Sequence, residues 1–117
     1  MDFGTAVKTC LTRKYATFSG RAPRSEYWWF VLFTIIANIV ASTLDVMTGL
    51  PVFAALITLA LLAPSITVGV RRLHDRDMSG WWILLVLIPA IGTLILLILF
   101  VMRGTEGPNR FGPDPLA

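Results

Sequence analysis

The run Arg71 to Trp82, RRLHDRDMSGWW, holds the only histidine of the chain. His74 beside Asp75, with Ser79 five positions on, puts the residue types of nucleophilic catalysis into one short stretch. That chemistry needs a base oriented by a third group, and an oxyanion site. Neighbouring loop residues do not ordinarily face one another in that way, and no nucleophile elbow is present, so no catalytic residue is assigned. One histidine without a second ligand at helical spacing makes a poor metal site. Glu26, Asp75 and Asp77 would suit only a hard cation, and neither metal nor cofactor is assigned. The arginines carry the stronger chemistry. Arg71 and Arg72 here, with Arg21 and Arg24 in the upstream run GRAPRSEYWW, can bind carboxylates or phosphates through charge-assisted hydrogen bonds. Glu26, Asp75 and Asp77 lie in the same two runs as counter-charges.

The elements that must position these groups read as membrane helices. Of 117 residues 56% are hydrophobic and 15% charged, well below the quarter usual in soluble domains, and the charges cluster between long blank stretches. Tyr27 to Leu44 is uncharged, as are Val46 to Val70 and Met78 to Met102. These give three expected transmembrane helices at 27–44, 51–70 and 79–102. The first apolar run starts late and is too long for a signal-peptide core, so no cleavable signal is expected. Asn38 lies mid-span, where a local or interhelical hydrogen bond is the expected role. Pro64 should kink the second span, with Ser65 and Thr67 re-satisfying freed backbone groups. Pro89 and Gly92 interrupt the third, which reads either as one kinked span or as a re-entrant hairpin of two half-length pieces.

Before the spans, residues 2–18 place Phe3, Ala6, Val7, Cys10, Leu11 and Phe18 on one side, with Lys8, Thr12 and Lys14 largely opposite. This is the pattern of an amphipathic helix lying in the membrane interface with its basic side toward headgroups. Residues 103–117 form a Gly/Pro-rich tail. The single cysteine, Cys10, excludes an internal disulfide. The fold class is therefore an all-α membrane protein: one domain with three transmembrane helices preceded by an amphipathic interfacial helix.

Five Lys and Arg precede the first span, three lie between the second and third, two follow the third, and none lies between the first and second. With three spans, the positive-inside rule puts the N-terminal arm and the second connection in the cytoplasm and the C-terminus outside; a re-entrant third segment would return the tail to the cytoplasm. Either way, Trp28, Trp29, Trp81 and Trp82 anchor one interface. Arg21, Arg24, Glu26, Arg71, Arg72, His74 and Asp75 become neighbours there, as a structural lock or a site for anionic headgroups.

The runs GRAPRSEYW, RRLHDRDMSGWW and GTEGPNRFGPDP, in that order, resemble the domain of unknown function 805 family of small bacterial inner-membrane proteins. From the third run the resemblance marks Asn109, Arg110 and Asp114 as a tail motif. It implies location and architecture and supplies no reaction. Net charge of +3 in such a chain reports orientation, so nucleic acid is not an expected partner. The expected partners are the lipid bilayer with its anionic headgroups, and a second copy of the chain or a larger membrane protein. An accessory, assembly or regulatory subunit is the expected role, with a small oligomeric transporter or channel as the alternative. No span carries an ionisable residue at its centre, which disfavours coupled transport.

Overall fold

A computed structural model describes residues 2–116. Helix α1 (Phe3–Lys8) starts at Asp2, whose carboxylate accepts the Thr5 amide at 2.7 Å, and continues as a π-helical stretch, Thr9–Arg13. Residues 14–18 leave the helix, so it ends short of the expected 18. Part of its apolar side packs inward: Ala6 and Cys10 are wholly buried, and Phe3, itself still exposed, meets Trp29 edge-on at 5.8 Å. Packing against the neighbouring helix therefore covers part of the stripe expected to lie on lipid and leaves Phe3 and Phe18 exposed, as Lys8 and Arg13 are.

Helices α2 (Arg24–Thr48) and α3 (Phe53–Asp75) form an antiparallel hairpin. At 1.5 Å per residue they are roughly 37 and 34 Å long, enough to cross a hydrocarbon core of about 30 Å. Only 11% and 33% of their most apolar stretches are buried, so they carry their hydrophobic surface outward, opposite to the core helices of soluble proteins. Gly49 ends α2 in the left-handed region at φ 74°. Asp45 then reaches across the turn to accept the Phe53 and Ala54 amides at 2.7 and 3.2 Å, capping α3. Asn38 bonds the Thr34 carbonyl and receives the Thr58 hydroxyl at 3.4 Å, joining the two helices.

Pro64 removes the amide that would bond the Ala60 carbonyl. The Tyr15 hydroxyl, arriving from the N-terminal arm, donates to that carbonyl at 2.6 Å. The Thr67 hydroxyl sits 3.2 Å from the Pro64 carbonyl and 3.1 Å from that of Tyr15, so the proline turn of α3 is where the arm is fastened. Helix α3 also runs five residues beyond the expected boundary at 70, making Arg71 to Asp75 helical and not loop. It stops where Asp77 turns left-handed at φ 59°, with the Asp77 and Met78 amides returning to the His74 and Leu73 carbonyls.

The third apolar segment is not one kinked helix. It consists of a 3₁₀ helix, Gly80–Leu87, a reversal at residues 88–90, and α4 (Ile91–Val101). Ile88, preceding Pro89, takes the extended conformation that proline imposes on its predecessor, with ψ 106°. Gly92 then lies so close to the Leu85 carbonyl that a Cβ would overlap it. Each leg is roughly 16 Å long, about half a bilayer core. Both ends meet the same end of α3: Gly80 packs on Val70, and the closing turn of α4 lies on Arg72. The segment is folded back on itself, and the tail leaves from the end at which the arm arrives. One core cluster gathers Cys10, Ala22, Phe30, Leu61 and Val68, and a second gathers Leu73, Leu96 and Phe100.

Candidate functional site

The last turns of α3 place consecutive residues on different sides of the helix, and each side meets a different partner. Arg71 faces α2 and the arm. Its guanidinium pairs with the Glu26 carboxylate, and the Cys10 thiol donates to the same carboxylate at 3.7 Å. Arg71 and Cys10 have no exposed surface and Glu26 has 1%. Burial, and secondarily the Glu26 charge, pushes the Cys10 thiol up to about 12, so it remains protonated.

Arg72 faces α4. Its Nε donates to the Phe100 carbonyl at 3.1 Å, Nη2 to that of Met102, and Nη1 to Asp75 at 2.5 Å and to the Ala22 carbonyl at 3.4 Å. Trp28 Nε1 shares the Phe100 carbonyl at 3.2 Å, and Arg24, though exposed, reaches that of Val101 at 3.3 Å. The unpaired carbonyls that end any helix are here taken up by side chains of α2 and α3, which fixes the returning leg.

Asp75 joins three segments. Its Oδ1 accepts Arg21 Nε at 3.0 Å and its carbonyl accepts the Thr105 amide at 2.7 Å. Arg21, 5% exposed, continues into the tail and donates to the carbonyls of Thr105, Gly107 and Gly112 at 2.5, 2.7 and 3.3 Å. Gly104 passes close enough to the Asp75 carboxylate that a Cβ would overlap it. The tail thus folds around one arginine. Asn109 Nδ2 donates to the His74 carbonyl at 2.9 Å, and Arg110 holds the left-handed Asp77 through its carboxylate at 3.1 Å and its carbonyl at 2.8 Å. Asp114 accepts the Gly107 and Leu116 amides, both at 2.9 Å, and these bonds lower its carboxyl below the usual range.

Of the residues expected to cluster, Arg21, Glu26, Arg71, Arg72, His74 and Asp75 do so in the interior, and Arg24 stands at the edge. Arg71 and Arg72 are not available to a headgroup phosphate, because both are fully buried and paired inside the protein. His74 Nδ1 lies 2.9 Å from the Gly20 carbonyl, and Asp75 is held by two arginines, so His74 and Asp75 are not a base and its orienting carboxylate. Among the described residues no group of three or more His, Cys, Asp or Glu is arranged to hold a metal ion. Trp28 is half-buried and Trp29 packs on Phe3, whereas Trp81 and Trp82 are exposed at the start of the 3₁₀ leg. Cys10, Tyr15 and Phe111 are the participants that residue types did not reveal. Phe111 stacks on His74 at 3.9 Å, with planes 2° apart. The only signal for the first two was that they precede the spans on a segment rich in hydrophobic residues.

Comparison with known proteins finds relatives named as inner membrane proteins. Inner membrane protein YhaI of Escherichia coli (strain K12) is 44% identical over 105 residues, covering 88% of this chain and 89% of the relative. Inner membrane protein YhaH of the same strain is 44% identical over 109 residues, covering 88% and 90%. A third relative, uncharacterized protein YiiR, is 28% identical over 129 residues. No solved structure matches the chain. The family model described as Protein of unknown function (DUF805) matches residues 15–113, from the tyrosine that fastens the arm to the proline that follows the Gly112 turn, and the chain belongs to that family.

Proposed function

We propose that the protein sits in the inner membrane with α2 and α3 as its two spans and both termini in the cytoplasm, where it serves as an accessory, assembly or regulatory subunit of a larger membrane protein. The observation that carries this reading is the distribution and state of its charges. All ten Lys and Arg belong to the arm with the first residue of α2, the end of α3 and the tail, and the α2–α3 turn has none. The positive-inside rule assigns the charged end to the cytoplasm.

The buried part of this charge is spent on the fold. Glu26, Arg71, Arg72, Asp75 and Arg21 bond one another or backbone carbonyls, with Arg71 Nε left without a partner, and such a paired network rigidifies a surface without offering reactive groups. Of the exposed part, Arg24, Arg103 and Arg110 already bond the Val101 carbonyl, Glu106 and Asp77, and Lys8 and Arg13 are left for anionic headgroups or an acidic partner surface. A rigid basic platform on an outwardly apolar hairpin suits docking more than turnover. In-membrane cross-linking of the tagged full-length chain, followed by identification of the products, tests the role. A stoichiometric larger membrane protein is expected, and recovery of the chain only as an uncross-linked monomer would refute it.

A further inference from the structure

His74 is nine-tenths buried, at 9% exposure, yet only one of its two ring nitrogens is bonded. Nδ1 faces the Gly20 carbonyl at 2.9 Å. A carbonyl can only accept, so Nδ1 carries the proton, and in the neutral ring Nε2 presents a lone pair. That lone pair has no hydrogen-bond partner among the described residues. It borders a cleft of about 440 Å³ walled by Ile66 and Val70 of α3 and by Phe18, Trp81 and Phe111. Ile66, Val70 and His74 follow one another at four-residue spacing, so the cleft runs roughly 12 Å along the helix from the imidazole into the apolar span. Gly80 lies against this edge of the ring: a Cβ there would stand 3.5 Å from Nε2, in ordinary contact, and press on Val70 at 2.7 Å.

The other polar side chain of the cleft is Ser79. Its Oγ already accepts the Trp81 amide at 3.3 Å, which leaves its proton for a donated bond. An acceptor and a donor on one otherwise apolar cleft match a hydroxyl group, which gives one hydrogen bond and receives another. A fully ionised phosphate, which has no proton to give, would meet the Nε2 lone pair with its own. The flanking rings and the apolar depth suit a small head on a greasy body, and the volume falls within the range of ordinary ligand pockets.

We propose that this cleft binds a membrane-dissolved amphiphile whose uncharged, hydroxyl-bearing head donates to His74 Nε2 and accepts from Ser79. Membranes supply that chemistry from two sources, hydroxylated aromatic rings on isoprenoid tails and glycerol-headed neutral lipids.

The test uses the full chain in phosphatidylcholine nanodiscs, titrated separately with a short-chain benzoquinol, with dioctanoylglycerol and with dioctanoyl phosphatidic acid. Binding is read by native mass spectrometry and by ¹⁵N NMR of the single histidine. One equivalent of the quinol, of the diacylglycerol, or of both should bind and move the Nε2 resonance while Nδ1 stays fixed. Whichever binds identifies the source. His74→Asn keeps a donor for the Gly20 carbonyl but removes the Nε2 acceptor, and should weaken binding at least tenfold. Ile66→Phe should do the same by filling the deep end, far from the charged network. The proposal is overturned if neither neutral probe binds, if both variants bind as wild type does, or if phosphatidic acid takes the cleft in preference.

Discussion

A guanidinium with no exposed surface becomes a liability once its carboxylate is gone. Removing one partner of a buried ion pair leaves an uncompensated charge and costs about 3–5 kcal/mol, whereas replacing both by apolar groups of similar volume is often neutral. Arg71→Met should therefore destabilise the protein by roughly that amount, measured as unfolding in detergent, and Arg71→Met with Glu26→Leu should recover most of it. A single variant as stable as wild type would show that the pair is not buried. Cys10 gives a pH-dependent signature of the same pocket. Its folded value is raised from 9.0 to about 12, so its contribution to stability is complete below pH 9.0 and is lost as pH rises through 12. Thiol alkylation at pH 8 should accordingly be far slower in the folded protein than in denaturant. Equal rates would mean an open site. The pairing of GRAPRSEYWW with RRLHDRDMSGWW was legible in the sequence, because hydropathy brings the two runs to one interface and their charges are complementary. The roles within the cluster were not. Arg72 and Arg21 spend most of their donors on carbonyls of Ala22, Phe100, Met102, Thr105 and Gly107, and a carbonyl has no sequence signature.

At the scale of elements, α2 and α3 are legible in their uncharged length, whereas the segment after them is not. Twenty-five uncharged residues from Met78 to Met102 suffice for a full span or for two half-length legs, and Pro89 with Gly92 permits either. What favours the hairpin is non-local: Arg72, Arg24 and Trp28 wait at the near end with donors for the last carbonyls of α4. A through-going helix would carry those carbonyls to the far side and strand the buried Arg72. The N-terminal helix differed for a related reason, since its apolar stripe fits α2 as well as it fits lipid. Gly92 offers the direct test of the reversal. Gly92→Val places side-chain atoms where the Leu85 carbonyl stands, and should cost about 2 kcal/mol or more through overpacking. Earlier unfolding should be accompanied by faster proteolysis of the tail as the returning leg loosens. Wild-type stability in this variant would rule out the fold-back.

The whole molecule is polar in the directional sense: charge at one end, a short turn at the other, and two apolar helices between. Orientation follows from this more strongly than from a three-span arrangement, which would put the arm and the α3 end on one side but move Arg103 and Arg110 to the other. On the proposed two-span arrangement all ten basic residues would share one side of the membrane, and the opposite turn offers only Asp45, already engaged in capping α3. Acidic residues contribute little to topology, so nothing opposes the basic bias. A C-terminal fusion to a reporter that matures only in the cytoplasm should therefore be bright. A reporter active only outside the cytoplasm should be active when inserted at Gly49, and silent when fused after Arg110. A dark C-terminal fusion with an active one after Arg110 would require a third full span. The carbonyls of Phe100 and Met102 would then lie a membrane thickness away from Arg72, and the network that joins arm, hairpin and tail could not form.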